Sequence, residues 1–296
     1  MNEKTRDTVV RFDGETGEIL AEFQMDSDDS ITTGKRIGNK IRYVKNQTDM
    51  GKLTEKLNGC YFILYYNNEL FDGLVSEKNL ARLIFLATHL DYDTNLLISK
   101  RGSQKYPMTE VDLKVAMNLN PKTFRQFIEE IKTCGILTVT DGKYYLSDKY
   151  FMKGSGKKPK NYTRVYIYSI QFLYAHCKGK QHTRLAQLFK LLPYVDYQHN
   201  CVTKYPNTPN ALLKPMTKTE IAEMIGIDPY KFRDFEKAIT KITLTFDGND
   251  YYVVGYAKFK AGCEEEKTFY VVNPLIFNSN KEYATLKDIW TQLLVK

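Results

Sequence analysis

The side chains best suited to recognising another molecule lie in two short stretches of the chain. They share hydrogen-bond donors on short spacings, and they are Lys122, Thr123, Arg125 and Gln126 in the first stretch and Tyr230, Lys231 and Arg233 in the second. Ammonium, guanidinium and amide groups donate to phosphate oxygens and to base edges in the major groove of duplex DNA. The chemistry that these residue types indicate is binding and not bond cleavage.

Both stretches belong to a duplicated segment. Residues 108–131 and 216–239 align without a gap at an offset of 108, and the identical pairs are Met108/Met216, Thr109/Thr217, Pro121/Pro229, Phe124/Phe232, Arg125/Arg233, Phe127/Phe235 and Ile131/Ile239. Identity at a fixed offset is the signature of an internal repeat. We therefore divide the chain into a first repeat and a second repeat.

The duplicated segment predicts two helices joined by a tight turn. Asn120 can cap the second helix, and Pro121 occupies a first-turn position where proline is tolerated. Apolar residues then recur at i, i+3, i+4 and i+7, namely Phe124, Phe127, Ile128 and Ile131. This spacing buries one face and leaves the four donors of the first stretch on or near the outer face. The layout is that of a helix-turn-helix.

The flanking segments predict the rest of each repeat. Residues 60–66 read as a strand, and the following helix directs Leu80, Leu83, Ile84 and Ala87 inward. Residues 136–140 and 143–146 flank Asp141-Gly142, a strong hairpin signal, and place Lys143 beside the turn. Residues 164–177 match the opening strand, and Tyr61, Tyr65, Tyr166 and Tyr168 are interpreted as strand packing. Three helices followed by a hairpin form a winged helix.

The predicted fold class is α+β, mainly α, with two tandem winged-helix domains. The boundaries are an N-terminal β-hairpin and basic arm at 1–48, the first domain at 49–152, a basic linker at 153–162, and the second domain at 163–296. The second wing has strand candidates at 242–246, 251–259 and 268–272. Its tip carries Glu264, Glu265 and Glu266, which repel phosphate, so Lys143 of the first wing is the better DNA contact.

Two basic segments are candidates for phosphate contact. They lack acidic residues, and they comprise Lys35, Arg36, Lys40 and Arg42 in the arm and Lys153, Lys157, Lys158 and Lys160 in the linker. A solvated basic segment explains the arm equally well. At the C-terminus, Leu286, Ile289, Trp290, Leu293 and Leu294 form an amphipathic helix. That helix docks either on its own domain or on a second copy of the chain, which would give a dimer.

Composition narrows the function classes. The chain has 296 residues and a net charge of +8, which favours a polyanionic partner once a motif accompanies it. Five single cysteines without a C-x-x-C pair, and four histidines without ligand spacing, predict no metal site and no disulfide framework. The sequence has no phosphate loop, dinucleotide fingerprint or nucleophile elbow. We expect a cytoplasmic protein that is not an enzyme, with no cofactor and no membrane partner.

The order of elements resembles a known family. Each repeat resembles the winged helix of RepL-type replication proteins of Firmicute plasmids and phages. The resemblance lies in the order strand, helix, Asp91-Tyr92 with Asn95, helix-turn-helix and hairpin, and in the endings KYYLSDKYFMKG and FYVVNPLIFN. The resemblance covers residues 61–153 and 166–278, and the tandem arrangement is similar to iteron-binding plasmid initiators. It implies a sequence-specific double-stranded DNA-binding protein that initiates replication of a mobile element and engages replication machinery. The duplication, the arm and the acidic second wing depart from the single-domain type.

Two alternatives to this function remain open. A transcriptional repressor or activator could use the same domains and engage the transcription machinery. A protein-interaction adaptor is favoured if the outer face of residues 229–241, with Asp234 and Glu236, is typical of the surface. The arginine shared by both repeats also has a second interpretation. Arg125 and Arg233 could belong to the framework and pair with Glu110 or Glu220 of the preceding helices.

Overall fold

The computed structural model describes residues 6–12, 19–26, 61–65, 69–101, 103–154, 162–177, 180–197, 199–206, 213–246, 249–259 and 267–278, together with Leu293. The chain is an α+β protein that forms two compact units, Met1–Gly59 and Cys60–Lys296. The first unit contains strands β1 (Arg6–Phe12) and β2 (Ile19–Asp26), which pair antiparallel. This pairing confirms the hairpin predicted around residues 13–17.

In the first repeat, the predicted elements occur in the predicted order. The elements of this repeat are β3 (Tyr61–Tyr65), α1 (Glu77–Leu86), β4 (Ile98–Arg101), β5 (Gln104–Pro107), α2 (Glu110–Met117), α3 (Pro121–Thr133), β6 (Leu137–Thr140), β7 (Lys143–Leu146) and β8 (Phe151–Met152). The β4–β5 hairpin, which lies between α1 and α2, was not predicted. A π-helical turn, Leu70–Leu74, precedes α1, and a short 3-10 turn, Ala87–His89, follows it. The inward positions of the predicted helix, Leu80, Leu83, Ile84 and Ala87, are buried.

In the second repeat, the same order recurs with additions. The elements are β9 (Tyr162–Tyr166), α4 (Ile167–His176), α5 (Lys180–Lys190), α6 (Lys218–Ile225), α7 (Phe232–Ile239), β10 (Thr243–Phe246), β11 (Asn249–Tyr252), β12 (Val254–Phe259), β13 (Lys267–Val272) and β14 (Phe277–Asn278). Leu192–Tyr194 and Pro229–Lys231 are 3-10 turns. The β10–β11 hairpin precedes a second hairpin, β12–β13, so the predicted three-strand wing contains four strands.

One predicted strand is a helix. The strand β9 ends at Tyr166, and residues 167–176 form α4. Ile170, Leu173 and Tyr174 have helical spacing and are buried, which explains why an all-apolar run adopts this conformation here. Tyr168, interpreted from the sequence as strand packing, therefore lies on α4, where it is 47% exposed.

The two repeats share one antiparallel sheet in the order β14-β9-β3-β8. The pairing of the central strands runs from Tyr61 opposite Tyr166 to Tyr65 opposite Tyr162. This register is symmetric about the pair Ile63 and Arg164, so a two-fold rotation exchanges Tyr61 with Tyr162 and Tyr65 with Tyr166. The expected linker at 153–162 lies between β8 and β9, which both belong to this sheet.

The outer strands and the helices continue the internal two-fold. Leu64 lies opposite Phe151 on one side, and its equivalent Val165 lies opposite Phe277 on the other. The helices α1 and α5 correspond at an offset of 105, through Leu80/Leu185 and Leu83/Leu188, and they pack against each other. The ring of Phe85, on α1, also stacks on Tyr174 of α4, with centroids 4.0 Å apart. The repeats are therefore joined as a pseudo-dimer within the unit 60–296.

An asparagine fixes the same loop in both repeats. Asn95 and Asn200 adopt the left-handed conformation, with φ of 54° and 52°. The amide of Asn95 donates to the carbonyl of Phe151 at 2.8 Å, and the amide of Asn200 donates to that of Phe277 at 3.0 Å. Asparagine tolerates positive φ and supplies this donor, which explains why it occupies both positions.

Part of the predicted C-terminal helix can be placed on the second repeat. Leu293 is buried in a cluster with Cys201, Leu213, Phe269 and Val271, and its carbonyl accepts the backbone N–H of Tyr252 at 2.8 Å. This contact favours docking on the helix's own domain. The other four residues assigned to its apolar face lie outside the described residues. Among the helices that the structure describes, none has both the length and the apolar character needed to cross a bilayer.

Candidate nucleic-acid interface

Side-chain caps fix the starts of the helices α2 and α3 in the first repeat. The hydroxyl of Thr109 accepts the backbone N–H of Asp112 at 3.2 Å, and the Asp112 carboxylate accepts the N–H of Thr109 at 2.9 Å, so α2 starts with a capping box. The side chain of Asn120 accepts the N–H of Thr123 at 2.9 Å and caps α3, with Pro121 in the first turn. The cap and the proline predicted from the sequence are confirmed.

The second repeat uses the same devices with different residues. Thr217 and Glu220 form the capping box of α6, and Asp228 accepts the N–H of Tyr230 at 3.0 Å. The backbone N–H of Thr217, followed by the ammonium of Lys204, lowers the pKa of Glu220 to about 2. The predicted second helix begins as the 3-10 turn Pro229–Lys231 and continues as α7. Its first turn is therefore wound more tightly than that of α3.

The outer faces of α3 and of the turn leading into α7 present the residues predicted from spacing. Phe124 and Phe127 in the first repeat, and Phe232 and Phe235 in the second, are buried. Lys122, Arg125 and Gln126 are exposed, as are Tyr230, Lys231 and Arg233, while Thr123 is half-buried. The predicted division between inner and outer faces is thus confirmed in both repeats.

The shared arginine is not ion-paired within the part of the framework that the structure describes. Among the described residues, neither Arg125 nor Arg233 forms an ion pair with a carboxylate. The carboxylate of Glu220 instead binds Lys204 at 3.0 Å and the backbone of Thr217. The pairing with Glu110 or Glu220, the alternative suggested by the sequence, is not observed among the described residues.

The wing of the first repeat projects a lysine. Asp141 and Gly142 both have positive φ, 51° and 70°, which is the geometry of a two-residue type I′ hairpin turn. Lys143 follows this turn and is exposed. The wing is tied to the recognition helix because the N–H of Ile136 donates to the carbonyl of Ile131 at 2.9 Å.

The wing of the second repeat is tied to its helix through a glutamate that the sequence reading placed on the surface. The carboxylate of Glu236 accepts hydrogen bonds from Tyr256 at 2.6 Å, from Tyr270, and from Lys218 at 2.9 Å. Burial raises the pKa of Glu236, but the two phenol hydrogen bonds and the lysine together lower it below its ordinary value. Since Glu236 is turned toward the wing, only Asp234 of the two acids considered for an adaptor surface is exposed.

Glu130, whose role was not predicted from the sequence, holds the helix α3 of the first repeat. The carboxylate of Glu130, on α3, accepts the amide of Asn79 at 2.6 Å and the hydroxyl of Ser76 at 3.3 Å at the start of α1. The only available sequence signal was its position beside Ile131, on the edge of the buried face. Glu130 and Glu236 thus orient the two recognition helices by contacts with different elements.

The basic segments are only partly described. Lys153 differs from the predicted free linker residue because it is half-buried, and its ammonium donates to the carbonyl of Leu90 at 2.9 Å. Its own carbonyl accepts the N–H of Asp93, so the chain at this point is still bonded to the first repeat. The remaining candidates, which are Lys35, Arg36, Lys40, Arg42, Lys157, Lys158 and Lys160, and the acidic wing tip at 264–266, lie outside the described residues.

Within the part of the chain that the structure describes, no group of histidine, cysteine, aspartate and glutamate side chains could hold a metal ion. Cys134, Cys177 and Cys201 are free thiols, and burial raises the pKa of Cys177 to about 11. These sulfurs are not poised as nucleophiles at neutral pH.

Comparisons of the chain with protein-family models, with curated proteins and with solved structures find no match.

Proposed function

We propose that this chain is a sequence-specific double-stranded DNA-binding protein made of two winged helices joined by an internal two-fold. One observation carries the proposal: Arg125 and Arg233 occupy equivalent, exposed positions on two helices whose opposite faces are buried, and neither has a carboxylate partner among the described residues. The framework role considered for this arginine would pair it with Glu110 or Glu220, and neither pair is found among the described residues. A net charge of +8 supports a polyanionic ligand.

The arrangement can bind duplex DNA as a preassembled dimer. Dimeric helix-turn-helix proteins place their second helices in major grooves about one helical turn apart on the same face of DNA. Here a covalent link and the shared sheet join the two recognition units, which removes the entropy cost of assembling them. Lys122, Arg125 and Gln126 would meet base edges and phosphates, and Lys143 would contact a flanking phosphate from the wing.

Within this class we propose a role as an initiator of plasmid or phage replication. Support comes from the order of elements and the strand endings shared with RepL-type proteins, together with the tandem arrangement of iteron-binding initiators. A transcriptional regulator would use the same surface. The arrangement of bound sites separates the two roles, because an initiator binds repeats at an origin and a regulator binds an operator at a promoter.

The test is a DNA shift assay at moderate salt with fragments of the source replicon. We expect retarded, sequence-dependent complexes that the double variant Arg125→Ala with Arg233→Ala abolishes. The matched control is Lys132→Ala with Lys237→Ala, which removes two exposed cations from the other ends of the same helices. Equal losses from both pairs would indicate charge attraction without recognition, and a protein that shifts no duplex would favour the adaptor class.

A further inference from the structure

The two recognition surfaces share a position but not a chemistry. At the offset of 108, Lys122 corresponds to Tyr230, Thr123 to Lys231 and Gln126 to Asp234, while only the arginine is the same in both repeats. Each of these residues except Thr123 is exposed. The backbone frame is therefore close to two-fold, whereas the side chains that face outward are not.

We infer that the two repeats read half-sites of different base composition, so that the DNA site is not an inverted repeat. The inference rests on the proposed function. A palindromic operator mirrors a protein whose two recognition surfaces are identical. With three of the four outward positions changed, the same bases in both half-sites would leave one surface without matching donors and acceptors.

The first repeat is suited to purines. A lysine donates to O6 and N7 of guanine, and a glutamine amide pairs with N6 and N7 of adenine. Lys122 and Gln126 lie four residues apart on α3, and therefore on one face of the helix. This surface would select a guanine and a nearby adenine on one strand.

Two residues that distinguish the second repeat, Tyr230 and Asp234, are suited to pyrimidines. Tyr230 is 95% exposed, more than any other large apolar side chain among the described residues, and its backbone is held by the cap from Asp228. An aromatic ring at the start of a recognition helix contacts the methyl group of thymine. Asp234 repels phosphate but accepts a hydrogen bond from N4 of cytosine, which makes a base edge its suitable partner.

The experiment selects binding sites from a pool of duplexes randomised over about three helical turns, using the full chain. Single-atom changes are then made in the selected site. Uracil in place of thymine removes only a methyl group, and 7-deazaguanine in place of guanine removes only the N7 acceptor. We expect one thymine position to lose about 4-fold in affinity as uracil, and a guanine in the other half-site to lose at least about 5-fold as 7-deazaguanine.

Variants assign each loss to a residue. Tyr230→Ala should bind thymine and uracil sites equally, and Tyr230→Phe should keep the preference for thymine. Lys122→Ala should become insensitive to 7-deazaguanine while it retains the thymine preference, which also shows that the variant is folded.

Four results would overturn the inference or its assignment of residues to bases. Selection of a perfect inverted repeat whose two halves respond alike would contradict it and leave the proposed function intact. A thymine preference unchanged in Tyr230→Ala, or a Tyr230→Phe variant as weak as Tyr230→Ala, would mean that the tyrosine contacts phosphate through its hydroxyl and not a base. A pool with no enriched sequence would remove the proposed function as well.

Discussion

The helices α3 and α7, the proposed recognition helices, occupy equivalent positions in the two repeats but are held by different contacts. The helix α3 is a continuous helix of 13 residues, and its Glu130 is bonded to Asn79 at the start of α1. The helix α7 has 8 residues, and its Glu236 is bonded to Tyr256 and Tyr270 of the wing. In the first repeat the scaffold sets the angle of the helix, whereas in the second repeat the wing and the helix are held together.

This difference shows that two repeats can keep the same backbone arrangement while their exposed side chains, and the hydrogen bonds that hold their helices, diverge. In the first surface the acid nearest to Arg125 along the helix is Glu129, one turn away, but in the second Asp234 lies directly beside Arg233. The first repeat should therefore supply more of the affinity for a polyanion. The second repeat should contribute mainly to the choice of DNA sequence, and this contribution should depend on the contacts that hold its wing against its helix.

The largest expected effect is the loss of DNA affinity on charge reversal at the shared arginine. Arg125→Glu should weaken binding more than Arg233→Glu, and by at least about 1 to 3 kcal/mol if the guanidinium contacts a guanine. Fluorescence anisotropy with one cognate duplex at fixed salt measures both variants. Equal losses, or a larger loss at Arg233, would reverse the ranking of the two repeats.

A smaller effect is expected from the contact between wing and helix. Glu236→Ala leaves the hydroxyls of Tyr256 and Tyr270 without their acceptor and should lower the free energy of unfolding by about 1 to 3 kcal/mol. It should also weaken protection of the second half-site alone. Glu130→Ala is the matched variant in the first repeat, and urea unfolding with footprinting compares them. The assignment fails if both variants affect the same half-site.

The lysines between the repeats should contribute to the salt dependence of DNA affinity. Changing Lys157, Lys158 and Lys160 to alanine should flatten the log-log salt slope by roughly two to three units and weaken cognate and random DNA alike. Lys153→Ala should leave the slope unchanged, because that ammonium is bonded to the carbonyl of Leu90. Salt titrations with cognate and scrambled duplexes give the slopes. Lost discrimination with an intact slope would mean that the linker sets geometry or reads sequence.

The smallest expected effect is on stability at low pH. The pKa of Glu220 is lowered from 4.5 to about 2 in the folded state, so its contribution is present above pH 4.5 and is lost as the pH falls toward 2. Glu220→Gln should therefore reduce the fall in unfolding free energy across that window. Added salt should shrink the difference, since the group is exposed. A steeper fall in the variant would contradict this assignment.

The features that depend on local spacing were predicted correctly from the sequence. The buried faces of α1 and α3, the Asn120 cap and the Asp141-Gly142 turn follow from spacing and turn chemistry, and the structure has them. Residues 167–176 were predicted as a strand because an aromatic-rich apolar run fits both periods. The helix is favoured there by the burial of Ile170 and Leu173, a tertiary effect.

Long-range pairing could not be predicted from the same evidence. The alignment of the repeats gives their equivalence, but the pairing of Tyr61 with Tyr166 across a two-fold depends on contacts distant in sequence. The hydrogen bonds of Glu130 and Glu236 likewise depend on residues that are distant in sequence. Each lies at the edge of an amphipathic helix, where periodicity does not distinguish a solvated acid from one bonded to a neighbouring element.

The most direct measurement is a major-groove methylation-protection footprint on a selected duplex with the wild type, Arg125→Glu and Arg233→Glu. We expect two protected patches on one face of the DNA, about one helical turn apart, with each variant losing protection mainly in its own patch. A single protected patch, or two patches of which neither variant selectively removes one, would contradict the claim that both recognition helices of the pseudo-dimer bind duplex DNA.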